Sequence, residues 1–266
     1  MSLPARDGHI AVEATSLVKR YGVMTAVDGV SFQIRRGEIV GFLGANGAGK
    51  TSTLRMLCGL VTPTSGTVLI DGIDILTDPL AAKARLGYLD EEPIVHAHLT
   101  GREFLNYIAD LYRMPRGPER RQRMERLLGL FELADRDSEL IGAYSHGMRQ
   151  KIGLASLLIR EPSVLLLDEP TNGLDPRSAR LVKDLLEELA SRGTAVLLST
   201  HILEVAQALC HRIAIIDRGH IVATGTMDEL RAQTGSEKAS LEDLFLKLTA
   251  GPESKELIER LLASNR

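Results

Sequence analysis

A chain of 266 residues, 44% apolar and 25% charged, can bury the core of one large or two modest domains. Its formal net charge of −3 gives no basis for expecting a nucleic-acid partner. Residues 1–9 lack the apolar stretch of a signal peptide, no apolar run is long enough to cross a bilayer, and the chain reads as soluble and cytoplasmic. The two cysteines, Cys58 and Cys210, sit in apolar, helix-like surroundings and are expected to be buried free thiols of a reducing compartment.

In chain order, residues 10–18 and 27–34 read as strands separated by a turn at Arg20-Tyr21-Gly22. The apolar run 39–43 reads as a buried strand, and residues 50–57 can form a helix with an apolar face. Between them lies Gly44-Ala45-Asn46-Gly47-Ala48-Gly49-Lys50-Thr51-Ser52, which fits the pattern G-x-x-x-x-G-K-[ST]. No bulky side chain occupies the Gly/Ala stretch, so its N–H groups and the helix N-terminus can converge on an anion such as the phosphates of ATP. Lys50 is expected to reach the β- and γ-phosphates and the Thr51 hydroxyl to hold Mg²⁺.

Residues 67–70 and 85–89 read as further strands, the second ending in the acidic loop Asp90-Glu91-Glu92-Pro93. Helical periodicity then takes over: Thr100 and Glu103 make a capping box, a second helix spans 119–131, and a third starts after Ser145 and runs through Leu158. The second helix region carries Arg113, Arg116, Arg120, Arg121, Arg123 and Arg126. A solvated helix face accounts for most such arginines, with contact to a partner or an anionic membrane surface as the alternative.

The apolar run 164–167 ends abruptly in Asp168-Glu169-Pro170, and Asp175-Pro176 starts a helix that Gly193 ends. A strand over 194–199, a helix over 201–209 and strands at 213–216 and 221–223 follow. Thr226 with Glu229 caps another helix, and Ser240 caps a last amphipathic segment over 241–248, followed by a polar tail. Strands alternating with helices at both ends, around a helical block, imply one α/β core interrupted by an insertion.

A carboxylate for the metal belongs at the C-terminal end of a buried strand, and Asp168 is there. Side chains alternate along a strand, so Glu169 can face the γ-phosphate while Asp168 faces Mg²⁺. Asp168 is therefore assigned to the metal and Glu169 to activating water as general base.

With these residues in hand, the chain resembles the ATP-binding subunit of an ATP-binding cassette (ABC) transporter. Gly44–Thr51 matches the family's Walker A motif, Val164–Glu169 its Walker B motif with the catalytic glutamate, and Leu174-Asp175 its D-loop. Tyr144-Ser145-His146-Gly147-Met148 is a variant of its Leu-Ser-Gly-Gly-Gln signature, His201 matches the switch histidine, and Tyr21 stands where an aromatic residue stacks on adenine. The resemblance covers about residues 8–230.

It implies an α/β P-loop NTPase (RecA-like) core with an inserted α-helical subdomain and a peripheral antiparallel β-subdomain. The expected boundaries are 8–92 with 163–230 for the core, 93–162 for the helical signature subdomain, and 231–266 for a C-terminal helical extension. It also implies two cassettes, a homodimer or a pair with a second ATPase subunit, that trap ATP between the phosphate loop of one and Ser145, Gly147 and Asp175 of the other. His201 would bond the γ-phosphate. Hydrolysis would loosen the pair and drive a transmembrane permease subunit, with the ATPase peripheral on the inner face of the membrane.

Three departures stand out. His146 replaces the signature's first glycine and Met148 its glutamine, which reshapes the loop. The imidazole either makes phosphate contact pH-dependent or faces the partner subunit. Glu91 stands at the Q-loop position, where glutamine is common; as a third metal ligand with Thr51 and Asp168 it adds charge beside Asp168. Asn172-Gly173 replaces the common Ser-Ala before the D-loop. The segment 241–249 resembles the tail of ATPases serving type-2 exporters, which favours export. A ribosome-acting ABC factor usually carries two cassettes, and a low-turnover nucleotide switch finds support only in the altered signature. The other histidines, His9, His96, His98, His211 and His220, suggest no zinc cluster.

Overall fold

The strand that feeds the glycine-rich loop, β3 (Ile39–Leu43), is buried at every position. It lies in a six-stranded sheet with β6 (Leu86–Leu89), β7 (Val164–Asp168), β8 (Ala195–Thr200), β9 (Arg212–Asp217) and β10 (His220–Gly225), in the order β10-β9-β3-β8-β7-β6. β3 runs parallel to β8 and β9, and β7 parallel to β6 and β8; only β10, at one edge, is antiparallel. The computed structural model describes residues 8–235 and 239–249.

Alternation divides the central strands between two apolar layers. Val40, Phe42, Val164, Leu166, Ala195 and Leu197 face one cluster, which also holds Leu17, Val30, Leu54 and Ile70. Their neighbours Ile39, Leu165, Leu167, Val196 and Leu198 face a second, which holds Ile152, Leu154, Val182 and Leu186. Both faces are covered, which is why these strands read as unbroken apolar runs. Each Val, Leu, Ile or Phe side chain among them contributes about 1.5–3 kcal/mol on burial.

The first layer is capped by a four-stranded antiparallel sheet in the order β2-β1-β4-β5, built from β1 (Ile10–Tyr21), β2 (Met24–Arg35), β4 (Ser65–Ile70) and β5 (Ile73–Asp74). The second is covered by α5 (His146–Leu158) and α6 (Pro176–Ser191), with α3 (Gly101–Leu111) and α4 (Pro118–Leu130) stacked beyond α5. The remaining helices are α1 (Lys50–Leu57), α2 (Pro79–Arg85), α7 (Leu203–Leu209), α8 (Met227–Thr234) and α9 (Leu241–Thr249). Leu241 and Leu244 of α9 pack with Leu230 of α8 and Ala206 of α7. The fold is thus the expected α/β P-loop architecture with a peripheral antiparallel sheet and a helical block. The polar tail and most of the expected 231–266 extension lie outside the described residues.

Several local expectations need correction. Residues 79–85 form a helix capped by Asp78, whose carboxylate accepts from the Ala81 N–H, so the strand begins at Leu86. The first strand continues to Tyr21, which pairs with Met24 across a turn at Gly22-Val23. The helix after β8 starts at Leu203, leaving His201 in the preceding bend. Cys58 is buried, but Cys210 is only half-buried. Of the basic segment, Arg113, Arg116, Arg121 and Arg126 are exposed; Arg116 and the buried Arg120 both donate to Asp110, at 2.7 and 2.6 Å, and Arg123 pairs with Glu161. Those pairings favour the helix-face explanation. Among the described residues no helix is long and apolar enough to cross a membrane.

Candidate active site

The register places the ends of β3, β7 and β8 side by side, with Leu43 opposite Thr200 and Asp168 opposite Ser199. In open parallel sheets, ligands collect outside the carboxyl ends of the strands. Three chain segments leave the sheet there: the glycine-rich loop, the Asp168-Glu169 turn and the Thr200-His201 bend.

The loop's glycines are set by close packing. A Cβ on Gly44 would lie 2.5 Å from the Ile216 carbonyl oxygen, and one on Gly49 would lie 2.6 Å from that of Ala26. Gly49 also sits at φ 109°, in the left-handed region, and turns the chain into α1. Ala45, Asn46 and Gly47 form the exposed crest, Ala48 is buried below it, and Ser52 is half-buried in the first turn of α1. Lys50 is 7% exposed and donates from Nζ to the Gly44 carbonyl at 2.7 Å and to that of Ala45 at 3.3 Å. Its charge is therefore held at the loop's inner rim.

Thr51 Oγ1 donates to Asp168 Oδ2 at 2.8 Å, joining the start of α1 to the end of β7. Asp168 is 1% and Glu169 4% exposed. Two adjacent buried carboxyls need partners, because an unpaired buried charge is costly. Glu169 finds two: Thr200 Oγ1 donates to Oε2 at 3.0 Å, and His201 Nδ1 lies 2.8 Å from Oε1. Glu169 sits at φ 47°, a conformation that a residue with a side chain rarely adopts. The strand has ended at Asp168, and the two carboxylates have different partners, Thr51 for Asp168 and Thr200 with His201 for Glu169.

Tyr21 is 44% exposed at the end of β1, with the Lys19 ammonium 5.1 Å from its ring. Its hairpin partner strand carries Ala26, whose carbonyl closes on Gly49, so the hairpin that ends in Tyr21 packs against the phosphate loop at that point.

Ser145, Gly147 and Asp175 lie together elsewhere. Ser145 caps α5, accepting from the Met148 N–H at 3.3 Å. Asp175 caps α6 through the Ser178 N–H and hydroxyl, and those bonds hold its carboxyl below the usual range. A Cβ on Gly147 would lie 2.9 Å from the Gly173 carbonyl oxygen, so the first turn of α5 touches the loop that leads into α6. Glu91 is exposed; its backbone amide bonds Asp90, whose carboxylate also pairs with Arg55.

Two residues of this site escape sequence reasoning. Thr200 holds the second oxygen of Glu169, and only its place between a strand and His201 hints at that. Gln150, wholly buried on α5, donates from Nε2 to the Glu169 carbonyl at 3.4 Å.

A glycine-rich strand-loop-helix with an inward lysine, and a hydroxyl facing a buried strand-end aspartate, define a P-loop nucleoside triphosphatase. The match to known proteins narrows the class. The ABC transporter family model matches residues 27–172. The chain is 41% identical over 229 residues to the daunorubicin resistance ATP-binding protein DrrA3 of Streptomyces coeruleorubidus, covering 86% of this chain and 72% of that one. It is 38% identical to the ABC transporter ATP-binding protein NatA of Bacillus subtilis, over 86% of this chain and 93% of that one. A probable multidrug ABC transporter ATP-binding protein of Escherichia coli, YbhF, is 35% identical, but this chain spans only 42% of it. A solved ATP-binding subunit of an ABC transporter superposes with a TM-score of 0.86 at 33% identity, over 90% of this chain and all of that one. An ATP-binding cassette solved as a dimer, in a post-hydrolysis state with ADP and Pi, superposes with a TM-score of 0.75 at 26% identity, over 81% of this chain and 98% of that one. The chain belongs to the ABC transporter family and is an ATP-binding, ATP-hydrolysing subunit.

Proposed function

We propose that the chain powers export through a separate membrane-embedded permease, bound at the inner face of the membrane, and that two cassettes close on ATP and open after hydrolysis. The observation that carries the site assignment is the convergence of Lys50, Thr51, Asp168, Glu169 and His201 on the ends of three neighbouring strands. The drug-resistance and multidrug designations of DrrA3 and YbhF support export as the direction.

In this reading Tyr21 stacks on adenine and residues 44–52 bind the phosphates through backbone N–H groups, with Lys50 turning its ammonium from the loop carbonyls to the phosphate oxygens. Thr51 and Asp168 present two oxygen donors 2.8 Å apart, hard ligands of the kind Mg²⁺ takes, and would hold it with Glu91 as the third ligand. Bound there, Mg²⁺ supplies charge neutralisation on the phosphates. Glu169 accepts a proton from the attacking water as its oxygen bonds to the γ-phosphorus. The bond to the β-γ bridging oxygen breaks, leaving ADP and phosphate. His201 positions the water and Glu169 together. From the opposing cassette, Ser145, Gly147 and the N-terminus of α5 face the γ-phosphate, and Asp175 lies at the same seam.

The test is nucleotide binding and turnover of the purified chain with Mg·ATP, against Lys50→Ala. Loss of both in the variant is expected. Equal nucleotide retention by the two proteins would overturn the assignment. Co-purification of an apolar multi-span subunit tests the permease; a ribosome in its place would refute it.

A further inference from the structure

The side chain of His146 lies across the backbone of Gly173. A Cβ built on Gly173 would come within 2.1 Å of the imidazole Cδ2 and 2.8 Å of Nε2. The ring thus occupies the space that any other residue at 173 would fill. Around this contact the first two turns of α5 hold the 169–175 segment at several further points. Gly147 abuts the Gly173 carbonyl, Gln150 donates to the Glu169 carbonyl at 3.4 Å, and Lys151 Nζ lies 4.0 Å from Asp175 Oδ2. The same Glu169 carbonyl accepts the Asn172 N–H at 3.0 Å, which folds 169–172 into a turn. Gln150 Oε1 is buried with no hydrogen-bond partner among the described residues, so the tie at that point is one-sided.

We propose that His146 is a positioning residue. Its ring, seated on Gly173, holds the 169–175 turn in register with the N-terminus of α5, and so sets Glu169. The inference rests on Glu169 being the general base. It connects the surface that meets the opposing cassette's nucleotide to the carboxylate that serves the chain's own. The ring stays exposed on its other side, so a shift at the α5 N-terminus is passed to Gly173 by direct contact.

The test is a double-mutant cycle on the full chain with Gly173→Ala, His146→Gly and the two combined. Gly173 sits at φ 70°, so alanine there is strained in both backgrounds, and that cost cancels from the cycle. Gly173→Ala is expected to lower kcat about tenfold or more with KM for ATP changed less than about twofold. Removing the ring as well is expected to restore about fivefold of that loss, as coupling between contacting groups requires. Multiplicative single effects would refute the proposal, as would a change confined to melting temperature. Should Gly173→Ala fail to fold, His146→Ala at the native Gly173 serves: kcat falls with unchanged ATP binding, and unchanged kcat refutes. Glu169→Gln separates the two levels of failure. Turnover surviving in it refutes the base assignment, whereas multiplicativity with Glu169 essential refutes only the coupling.

Discussion

His201 Nδ1 and Glu169 Oε1 lie 2.8 Å apart, although 32 residues separate them in the chain. The contact depends on a backbone turn at φ 47° in Glu169 and on the Thr200 hydroxyl holding the other carboxylate oxygen at 3.0 Å. An Nδ1–H on His201 is the form that donates to a carboxylate oxygen in this contact. Glu169 is thereby held in one orientation, as the general-base role proposed for it requires.

Glu169→Gln preserves shape and the Thr200 bond but removes the basic oxygen. Turnover is expected to fall about 10²–10⁴-fold while Mg·ATP binding survives, so ATP-stabilised dimers accumulate on size exclusion. His201→Ala leaves the base in place without its second anchor. It is expected to lower kcat by a smaller factor, about 10–100-fold, with KM little changed. Steady-state phosphate release at saturating ATP checks both, and an unaltered rate in Glu169→Gln would discard the mechanism.

The Thr51–Asp168 pair makes a separate prediction. Thr51→Ala removes one oxygen donor and leaves Asp168 1% exposed without its hydroxyl partner. The Mg²⁺ concentration for half-maximal ATPase is expected to rise about 10–100-fold, in line with losses of groups that orient metal ligands. Thr51→Ser keeps the hydroxyl and is expected to stay near wild type. A Mg²⁺ titration of both variants decides it; equal titration curves would remove Thr51 from the metal site.

What was legible in the sequence follows from local chemistry. Residues 39–43 and 164–167 are strands buried on both faces, and a continuous apolar run is what such burial requires. Asp175-Pro176 was readable as a helix start because cap and proline act within one turn. The same Asp-Pro signal at 78–79 marks α2, but only seven residues follow before β6, too few for a periodic face to register. Thr200 and Gln150 were not legible, because their role lies in contacts with Glu169 across 31 and 19 residues. His146 and Gly173 each read as an isolated departure from the family pattern. Only their contact shows that they are one feature.

Gly41 is a second case in which chain-distant residues fix a position. A Cβ there would lie 2.9 Å from Cys210 Sγ and 3.4 Å from its Cβ. Gly41→Ala is expected to destabilise the protein by about 1–3 kcal/mol through overpacking beneath the phosphate loop. Gly41→Ala with Cys210→Ala removes the obstructing sulfur and should recover most of the loss. Urea unfolding of the four proteins measures the coupling. A strictly additive result would mean that the strand, not the thiol, sets the glycine.

The thiols themselves give a pH prediction. Burial pushes Cys58 up to about 11 and Cys210 up to about 12, from an ordinary value of 9.0. Low polarity around each sulfur disfavours the thiolate. At pH 8 both stay protonated in the folded chain, so a thiol reagent should label them far more slowly than in the denatured chain. The linkage has a definite sign. Above pH 9 the unfolded thiols lose protons that the folded ones keep, so the folded state binds more protons and stability declines as pH rises. The protection is complete below about pH 9 and is lost progressively as pH climbs through 11 to 12. A chain with Cys58→Ala and Cys210→Ala should therefore lose less stability between pH 8 and pH 10.5 than wild type does, by about 1–2 kcal/mol for each thiol over such an interval. Equal slopes in the two proteins, or fast labelling of native wild type at pH 8, would show that the sulfurs are reached by solvent.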